Sequence, residues 1–367
     1  MDQARELAVR AAIVARRTLV GTVIGALSAR LSGRSVRIAV GFSPWKEGFT
    51  RKLFLGDRLI FVDGRGRFRV VRALLGESAK NVAVWSLKDE AAGFRPSDFA
   101  GCDLLRLEDG FVRSLGRGID HVPPWSLCLD RSGLYFDGGR PSDLENICND
   151  LPEEEPAEDA AAVDRAIDRL KRAAISKYNS KIAPDPRSRP SHVPGSVLVL
   201  GQVEDDQSIR RNTNAISTNR GLLERALADR PGRRILFKQH PDCLGSPCRA
   251  GRVDVASLPG VEEVDPAVAI TDAIEAVDTV YTISSLGGFE ALLRDKEVVT
   301  FGAPFYAGWG LTRDHVEFPR RRRRLTVRQL FHAAFIRYPV YFDPHDGRRM
   351  TLLDVLDRFS RDMSGAD

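Results

Sequence analysis

Eight short apolar runs, each bounded by turn-forming residues, set the strongest limit on how this chain folds. Several are apolar at consecutive positions, which is typical of central strands buried on both faces of a parallel sheet. Segments with helical periodicity separate several of the runs, and that alternation indicates α/β units. The runs form two groups of four, at 36–42, 58–64, 81–87 and 102–110 and then at 196–202, 233–241, 278–285 and 297–304.

A proline-rich stretch at 182–196 separates the two groups and predicts a domain boundary. At 367 residues the chain is also too long for one compact core. We therefore predict an α/β, GT-B-like fold with two Rossmann-like domains, a cleft between them and a helical C-terminal tail. The predicted segments are 1–35 (basic and amphipathic), 36–185 (first Rossmann-like domain), 196–315 (second Rossmann-like domain) and 316–367 (helical, packing back across the domains).

This architecture occurs in glycosyltransferases, dehydrogenases and kinases alike, so it assigns no function by itself.

One stretch departs from the α/β alternation. Residues 126–139 contain two short apolar segments around "DRSG", which predicts a β-hairpin.

The charge balance narrows the class of ligand. The net charge is +5 and the pI is about 9.0, which suits an anionic ligand, an anionic membrane surface or a nucleic acid. Much of the excess lies in the first 37 residues and in the run Arg320–Arg324. That run has no interleaved aromatic residues and no recognised nucleic-acid module, so no nucleic-acid partner is predicted. We interpret the run as a strip that faces anionic lipid or solvent.

The N-terminal segment is apolar between Arg17 and Arg30, but twelve residues are too few to cross a bilayer. It also lacks the features of a secretory signal. Two interpretations stay open: a helix packed on the first domain, which is favoured, and a basic amphipathic helix on a membrane surface.

Five cysteines without metal-ligand spacing indicate reduced thiols. We predict a cytoplasmic protein, with peripheral contact to the inner membrane under the second interpretation.

Polar clusters follow four of the predicted strands, whereas GxGxxG after the first strand, GxxxxGK[ST], GxSxG and HExxH are missing. The carboxyl ends of strands in both domains are expected to face the cleft, where ligands bind in such folds. These clusters are therefore the candidate site. They are Glu108, Asp109 and Arg113; Glu204, Asp205 and Asp206; Lys238, His240 and Pro241; and Ser284 and Ser285.

Each cluster has a chemical interpretation and a simpler structural one. Ser284 and Ser285 stand before a helix, where hydroxyl and backbone N–H groups hold anions, but helix capping explains them equally well. Lys238 and His240 alternate along one strand and so point the same way, as a phosphate and nucleoside site requires. Carboxylates from two strands suit glycosyl transfer, one at the anomeric carbon and one for the acceptor proton. Taken alone, either acidic cluster would be interpreted as a turn or a helix cap.

Seven stretches together make the sequence resemble the KpsC type of capsule polysaccharide synthesis protein. "GFEALL" followed by "FYAGWGLT" is the most specific part. The resemblance implies a retaining β-Kdo glycosyltransferase, which transfers the acidic sugar Kdo from CMP-Kdo to a bacterial glycolipid. The stretches are "RLEDGFVRSLGRG", "GLYFDGGRPSDLE", "SKYN", "VLVLGQVEDDQSI", "KQHPD", "SSLGGFEALLRDKEVVTFGAPFYAGWGLT" and "LFHAAFIRYPVYFDP".

The resemblance also implies roles for individual residues. Asp206, two residues before the Ser of a "QxxxDxS" pattern, is expected to form a glycosyl-aspartate with the donor sugar. Glu108 or Asp109 would be the acid/base, and the sequence does not separate them. The Kdo carboxylate needs a cation, for which Arg113 is the expected partner, and no metal or other cofactor is expected. The implied contacts to CMP, in the second domain, are Lys238, His240, Pro241, Ser284 and Ser285.

Well-known KpsC proteins carry two such modules in tandem, whereas this chain has room for one. It is therefore expected to add one Kdo to a Kdo- or lipid-terminated acceptor, with the first domain on the acceptor side, or to act with a partner transferase. Two other functions stay open. One is a transferase for another CMP-activated acidic sugar, of the sialic-acid type, and the other is a non-catalytic scaffold of the capsule assembly complex.

Overall fold

The structure is a computed structural model that describes residues 18–116, 120–154, 156–173, 175–179, 189–212, 216–244 and 250–364. Half of the predicted N-terminal segment and part of the predicted linker lie outside these ranges. The chain forms two compact units. The first comprises Met1–Arg131 and Pro339–Val355, and the second comprises Ser132–Tyr338 and Leu356–Asp367.

Every one of the eight predicted runs contains a strand, which confirms the α/β class. The strands of the first unit are, in chain order, β1 (Val36–Val40), β2 (Arg58–Val62), β3 (Asn81–Trp85), β4 (Asp103–Asp109), β5 (Ser114–Leu115) and β6 (Ser126–Asp130). Its helices are α1 (Leu19–Leu31), α2 (Glu47–Leu53), α3 (Arg65–Leu75) and α4 (Lys88–Ala91). Short 3-10 turns lie at Pro44–Lys46, Gly76–Ala79 and Pro96–Phe99.

The second unit follows the same alternation. Its strands are β7 (Tyr178–Asn179), β8 (Val197–Leu200), β9 (Ile235–Lys238), β10 (Val261–Glu263), β11 (Thr279–Thr282), β12 (Glu297–Thr300) and β13 (Arg313–Asp314). Its α-helices are α5 (Asp143–Asn149), α6 (Ala157–Arg172), α7 (Gln207–Arg210), α8 (Asn219–Asp229), α9 (Ile270–Glu275), α10 (Leu286–Leu292) and α11 (Val327–Phe331). It also contains 3-10 turns at Pro241–Cys243 and Val255–Ser257 and a π-helix at His332–Arg337.

The chain then returns to the first unit with β14 (Pro339–Phe342) and β15 (Arg349–Met350) and ends in helix α12 (Leu352–Ser364). The predicted C-terminal helix is therefore present, but two strands that the sequence analysis missed precede it. None of the helices in the described ranges is long and apolar enough to span a bilayer.

The sheet of the first unit has the order β15-β14-β6-β4-β3-β1-β2. Strands β2, β1, β3 and β4 are parallel, and β6, β14 and β15 extend the sheet by antiparallel pairing. Its central strands are buried on both faces, because Ile38 and Val82 pack on one side with α1 and α3 while Ala39 and Trp85 pack on the other. This double burial explains why these runs are apolar at consecutive positions.

The sheet of the second unit consists of six parallel strands in the order β10-β9-β8-β11-β12-β13. Val199 of β8 pairs with Phe237 on one side and with Tyr281 on the other. All three side chains belong to one apolar cluster that includes residues of α8. Parallel strands joined through helices make this a Rossmann-like unit.

The predicted hairpin at 126–139 is wrong. Only its first strand forms, and β6 pairs with β4 and β14 rather than with the residues after "DRSG". Beyond Asp130 the chain turns away, since the Ser132 hydroxyl donates to the Asp143 carboxylate at the start of α5, at 2.6 Å. Strand β14 occupies the place that the second hairpin strand was expected to take.

The arginine run at 320–324 is not the lipid-facing or solvated strip that the sequence suggested. Arg320 and Arg321 both bind the buried Glu145 carboxylate, at 2.7 and 3.1 Å. Arg321 also donates to the carbonyls of Pro304 and Ala307 and lies 4.4 Å from the Phe318 ring centroid. Of the five arginines, this one is buried. The run therefore ties α5 to the loop that follows β12.

Replacing Arg321 with Met should lower the free energy of unfolding by about 3 kcal/mol, because it breaks the buried ion pair with Glu145 and leaves two carbonyls without their donor. Arg322 is exposed, so Arg322→Met removes the same charge at a cost within about 0.5 kcal/mol. Urea unfolding monitored by circular dichroism measures both. Equal losses for the two variants would contradict a structural role specific to Arg321.

Candidate functional site

The order of the strands in the second unit marks one position as special. From β8 the chain passes to β9 and β10 on one side of the sheet, and it then returns to β11 on the other side of β8. The loops that leave β8 and β11 therefore diverge at a topological switch point, where open α/β sheets bind ligands. These two loops contain the predicted residues Asp206, Ser284 and Ser285.

Gln202, which sequence reasoning missed, joins the two loops. Its side-chain carbonyl accepts from the Ser284 backbone N–H at 2.7 Å and from the Thr282 hydroxyl at 3.2 Å. Its amide nitrogen donates to Ser284 Oγ at 3.1 Å. The side chain is buried, so its amide group requires such partners. Its position directly after β8, at a switch point, was the signal that could have identified it.

Asp206 lies just beyond Gln202 and caps α7, with Oδ1 accepting from the Ser208 backbone N–H at 2.9 Å. The Ser208 carbonyl in turn accepts from Ser284 Oγ at 3.4 Å, so the structure brings the Asp206 segment and Ser284 together. Glu204 has a structural task instead, because its carboxylate accepts from the Asn219 N–H at 2.7 Å. This contact separates Glu204 from the other two acids of the predicted cluster.

The two neighbouring serines have different partners. Ser285 is the N-cap of α10 and accepts from Gly287 N at 3.2 Å, which is the simpler interpretation considered from the sequence. Its carbonyl accepts from Tyr306 Oη at 2.5 Å, and a Cβ on Gly288 would lie 2.1 Å from that hydroxyl oxygen. Gly288 therefore has to be glycine, and the packing of Tyr306 fixes the start of α10.

Lys238 and His240 follow β9, next to β8. Lys238 Nζ donates to the carbonyls of Asp265 and Pro266, at 3.0 Å each. Burial lowers its pKa to about 8, although nearby carboxylates oppose this shift. His240 Nδ1 accepts from the Asp242 N–H at 3.2 Å as the cap of the turn that Pro241 begins, so in the neutral ring Nε2 carries the proton. The structure thus gives both side chains intramolecular partners at the end of β9.

In the first unit, Glu108 and Asp109 end β4 and Gly110 follows. A Cβ on Gly110 would lie 2.1 Å from Ser126 Oγ, so this close approach to β6 requires glycine. Asp109 Oδ2 lies 2.8 Å from Arg113 Nε. Arg113 is only 1% exposed and also donates to Ser114 Oγ and to the Val122 carbonyl. This burial argues against the predicted contact between Arg113 and a donor carboxylate.

The sequence pattern of the capsule polysaccharide biosynthesis protein family matches residues 83–341 of the chain. The chain belongs to this family. The resemblance seen in the sequence is thereby confirmed, and the switch-point loops of the second unit and the Glu108–Arg113 segment lie within the matched region.

Similar proteins include the lipopolysaccharide-processing protein LpsZ of Rhizobium meliloti, 35% identical over 84% of this chain and 70% of its own length. The capsule polysaccharide modification protein LipA of Neisseria meningitidis serogroup B is 37% identical over 83% of this chain, which spans 42% of that relative. One similar solved structure is Thermosulfurimonas dismutans KpsC, described as a beta Kdo 2,4 transferase. It has a TM-score of 0.74 and is 32% identical, and the match covers 89% of this chain and 98% of the KpsC chain. A second, described as the beta Kdo 2,7 transferase of that KpsC, has a TM-score of 0.70 and 30% identity, with the same coverage of both chains.

Behind the Ser285 cap, α10 of this family member contains a buried carboxyl group at Glu290. Its Oε2 has no hydrogen-bond partner in the part of the chain that the structure describes. Burial raises the pKa of Glu290 to about 7, and the Arg294 charge opposes the shift. The protonated form is therefore the one that the folded state favours.

Because the pKa of Glu290 is higher in the folded state than in the unfolded one, its contribution to stability is full below about pH 4.5 and is lost as pH rises to about 7. Glu290→Gln should remove that loss and raise the free energy of unfolding at pH 8 by up to about 3 kcal/mol. Urea unfolding at pH 5 and pH 8 tests this, with the exposed Glu317→Gln as matched control. A Glu290→Gln protein that keeps the wild-type difference between the two pH values would contradict it.

Proposed function

We propose that this protein is a retaining glycosyltransferase that transfers Kdo from CMP-Kdo to a Kdo- or lipid-terminated acceptor in capsule or surface polysaccharide synthesis. The main support is the likeness to two KpsC Kdo transferase structures, at 32% and 30% identity with TM-scores of 0.74 and 0.70. The Gln202 network at the switch point, which joins Ser284 to the segment that Asp206 caps, supplies an arrangement that suits this chemistry.

In the donor half of the reaction, CMP would lie at the carboxyl ends of β8, β9 and β11. The hydroxyls of Ser284 and Ser285 would bind the phosphate. Lys238 would join them by exchanging its two carbonyl partners for phosphate oxygens, and His240 would donate from Nε2 to the phosphate or ribose. These charges and N–H dipoles stabilise the departing CMP, so the mechanism requires no metal or other cofactor.

Asp206 would then attack the anomeric carbon. The Ser208 N–H holds Oδ1, which orients the carboxylate for attack through Oδ2. The bond from Oδ2 to the anomeric carbon forms as the bond to the phosphate oxygen breaks, and CMP leaves with the electron pair. In the second step an acceptor hydroxyl displaces Asp206, so two inversions restore the original configuration.

The acceptor's proton would pass to Glu108. Asp109 already binds Arg113 at 2.8 Å, so its carboxylate is engaged by a buried guanidinium group. Glu108 Oε1 accepts from the Asp109 N–H at 3.0 Å, a neutral donor. The partners of the two side chains therefore favour Glu108 as the acid/base and give Asp109 and Arg113 positioning roles.

Asp206→Ala should lower transfer from CMP-Kdo at least about 10³-fold and leave CMP binding intact, because it removes the nucleophile but none of the proposed CMP contacts. Asp205→Ala is the matched control and should keep most of the activity. Transfer is measured as CMP release with a Kdo-terminated lipid, and CMP binding by calorimetry.

In Glu108→Gln, slowing of the second step by about 10²- to 10⁴-fold should let the sugar accumulate on Asp206.

Intact-protein mass spectrometry of Glu108→Gln with CMP-Kdo should then show one added sugar, which Asp206→Ala in the same background removes. An active Asp206→Ala protein, or Glu108→Gln without an adduct, argues against the double displacement. Activity with CMP-sialic acid but not with CMP-Kdo would favour the alternative acidic sugar. If the protein binds CMP but uses neither donor, the result would support the alternative of a non-catalytic scaffold.

We also propose that the first unit contacts the cytoplasmic face of the inner membrane through α1. One face of this helix packs against α3 and β2 through small side chains, and the other is apolar and open to solvent. Residues 7–46 contain six Arg and one Lys but no acidic residue. An anionic lipid surface satisfies both the apolar and the basic character, whereas a second copy would bring the same positive charge. The exposed apolar residues are Leu19, Val20, Ile24, Leu27 and Leu31, at 47–87%.

Replacing Ile24 and Leu27 with Gln should weaken co-sedimentation with vesicles containing phosphatidylglycerol by at least about tenfold, since two side chains no longer enter the apolar layer. Leu55 is 60% exposed elsewhere in the same unit, so Leu55→Gln serves as the control and should leave binding unchanged. All three proteins should bind more weakly to neutral phosphatidylcholine vesicles than to the anionic vesicles. Equal binding of all three proteins to anionic vesicles would exclude α1 as the contact.

A further inference from the structure

The first unit has a topological switch point of its own. From β1 the chain passes to β2 on one side of the sheet and then to β3 on the other side of β1. The loops that follow β1 and β3 therefore diverge at their carboxyl ends, where ligands of open α/β sheets bind. The first of these loops contains Trp45 and Lys46, and β3 ends at Trp85. The proposed function gives none of these three residues a role.

Lys46 is a half-buried cation that lies against an aromatic face. Its Nζ lies 3.1 Å from the ring centroid of Trp85 and 5.3 Å from that of Trp45. Burial lowers the Lys46 pKa to about 8, and the nearby carboxylates of Asp109 and Glu108 oppose the shift. An ammonium group in this setting is suited to an oxygen ligand, because an aromatic face replaces only part of the water that burial removes.

The protein does not supply that oxygen from the residues that the structure describes. Asp109 is bound to Arg113 at 2.8 Å, and Glu108 accepts from a backbone N–H. No hydrogen bond from Lys46 Nζ reaches an acceptor within the described ranges, although the ammonium has three N–H donors. Such a group is suited to bind an oxygen of a ligand.

Beside the ammonium lies an aromatic surface. The indole of Trp45 stacks on the His121 ring, with centroids 5.0 Å apart and planes 19° apart, and it is half-buried. An aromatic face next to the Lys46 ammonium group suits a ligand with an apolar ring face and one negative charge. Because Glu108 and Asp109 lie nearby, a monoanion such as a carboxylate fits better than a doubly charged phosphate.

We propose that Lys46 and Trp45 form a subsite for an acidic sugar of the acceptor, with the sugar carboxylate on Lys46 Nζ and one face of the sugar ring on Trp45. This assignment rests on the proposed function for the identity of the acceptor. It also supplies the partner for a sugar carboxylate that Arg113, buried and bound within the unit, does not provide. Lys46 acts here in binding and specificity, and the proton transfer stays with Glu108.

The test is a binding measurement on the full chain that does not require turnover. The probes are the methyl glycoside of Kdo and its methyl ester, which has the same ring without the negative charge. Wild-type protein should bind the acid at least about tenfold more tightly than the ester. Lys46→Met should weaken binding of the acid by about 10- to 100-fold, as expected for a lost charge-assisted hydrogen bond, and change binding of the ester little.

Two further variants separate this contact from general effects of charge and folding. Lys88 also influences Lys46 but is exposed, so Lys88→Met should change affinity for the acid less than about threefold, as expected for a solvent-screened charge. Lys46→Arg keeps the cation and should restore most of the affinity. Thermal melting curves for all variants show whether each one is folded.

The pH dependence provides a second readout. The charged groups that influence Lys46 are Asp109, Glu108, Arg113 and Lys88. Affinity of the wild type for the acid should fall as pH rises through about 8, when the ammonium loses its proton. In Lys46→Arg the guanidinium stays charged, so the affinity should not change over that range.

Equal binding of acid and ester by the wild type, or equal binding of the acid by wild type and Lys46→Met, would overturn the subsite, as would the absence of saturable binding by the wild type. These outcomes do not depend on the proposed function. Failure of the wild type to use CMP-Kdo while Lys46-dependent binding persists would overturn the reaction but keep the subsite. Transfer with an unchanged acceptor KM in Lys46→Met would overturn the subsite and keep the reaction.

Discussion

Burial of the central strands on both faces is the constraint on which the rest of the structure depends. No side chain of β8 or β11 is exposed, so solvent-accessible polar side chains begin only beyond the strand ends. The first polar side chain after β8 is Gln202, and because it is still buried it must satisfy its amide within the protein. It does so on the loop that leaves β11, and this exchange brings Ser284 and the Asp206 segment together.

The same constraint explains why neighbouring residues of similar chemistry differ in function. Ser285 caps a helix, while Ser284 binds Gln202 and Ser208. Asp109 is bound to a buried guanidinium, while Glu108 accepts from a backbone N–H. In each pair the two residues have different partners, and these partners give the two side chains different roles. The sequence shows that two similar residues are neighbours, but it does not show which group each of them binds in the folded protein.

The sequence predicted the strands well because an apolar run buried on both faces has few other structures open to it. The hairpin at 126–139 failed because strand pairing is decided by distant residues: β6 pairs with β14, more than 200 residues further along the chain. The segment "PVYF" of β14 is itself rich in residues that favour strands, but it lay within a stretch predicted to be helical. The arginine run misled for the related reason that its partner, Glu145, is distant in sequence.

The acidic and serine-rich parts of the candidate site could be predicted, since those motifs stand directly after apolar runs. Lys46 could not, because a single Lys after a strand is usually a solvated surface residue. What distinguishes it is the face of Trp85, on a strand that the sequence does not reveal to be adjacent.

The two lysines at strand ends, Lys46 and Lys238, show how burial prepares a cation for an anion. Burial lowers the pKa of each to about 8, and neighbouring carboxylates oppose that shift and support the charged form. An arriving anion strengthens that support and raises the pKa, and binding above pH 8 therefore takes up a proton. The contacts that each lysine already makes determine how readily it can bind a ligand. Lys238 must give up two carbonyl oxygens, whereas Lys46 gives up only contact with an aromatic face, which makes it the better prepared of the two.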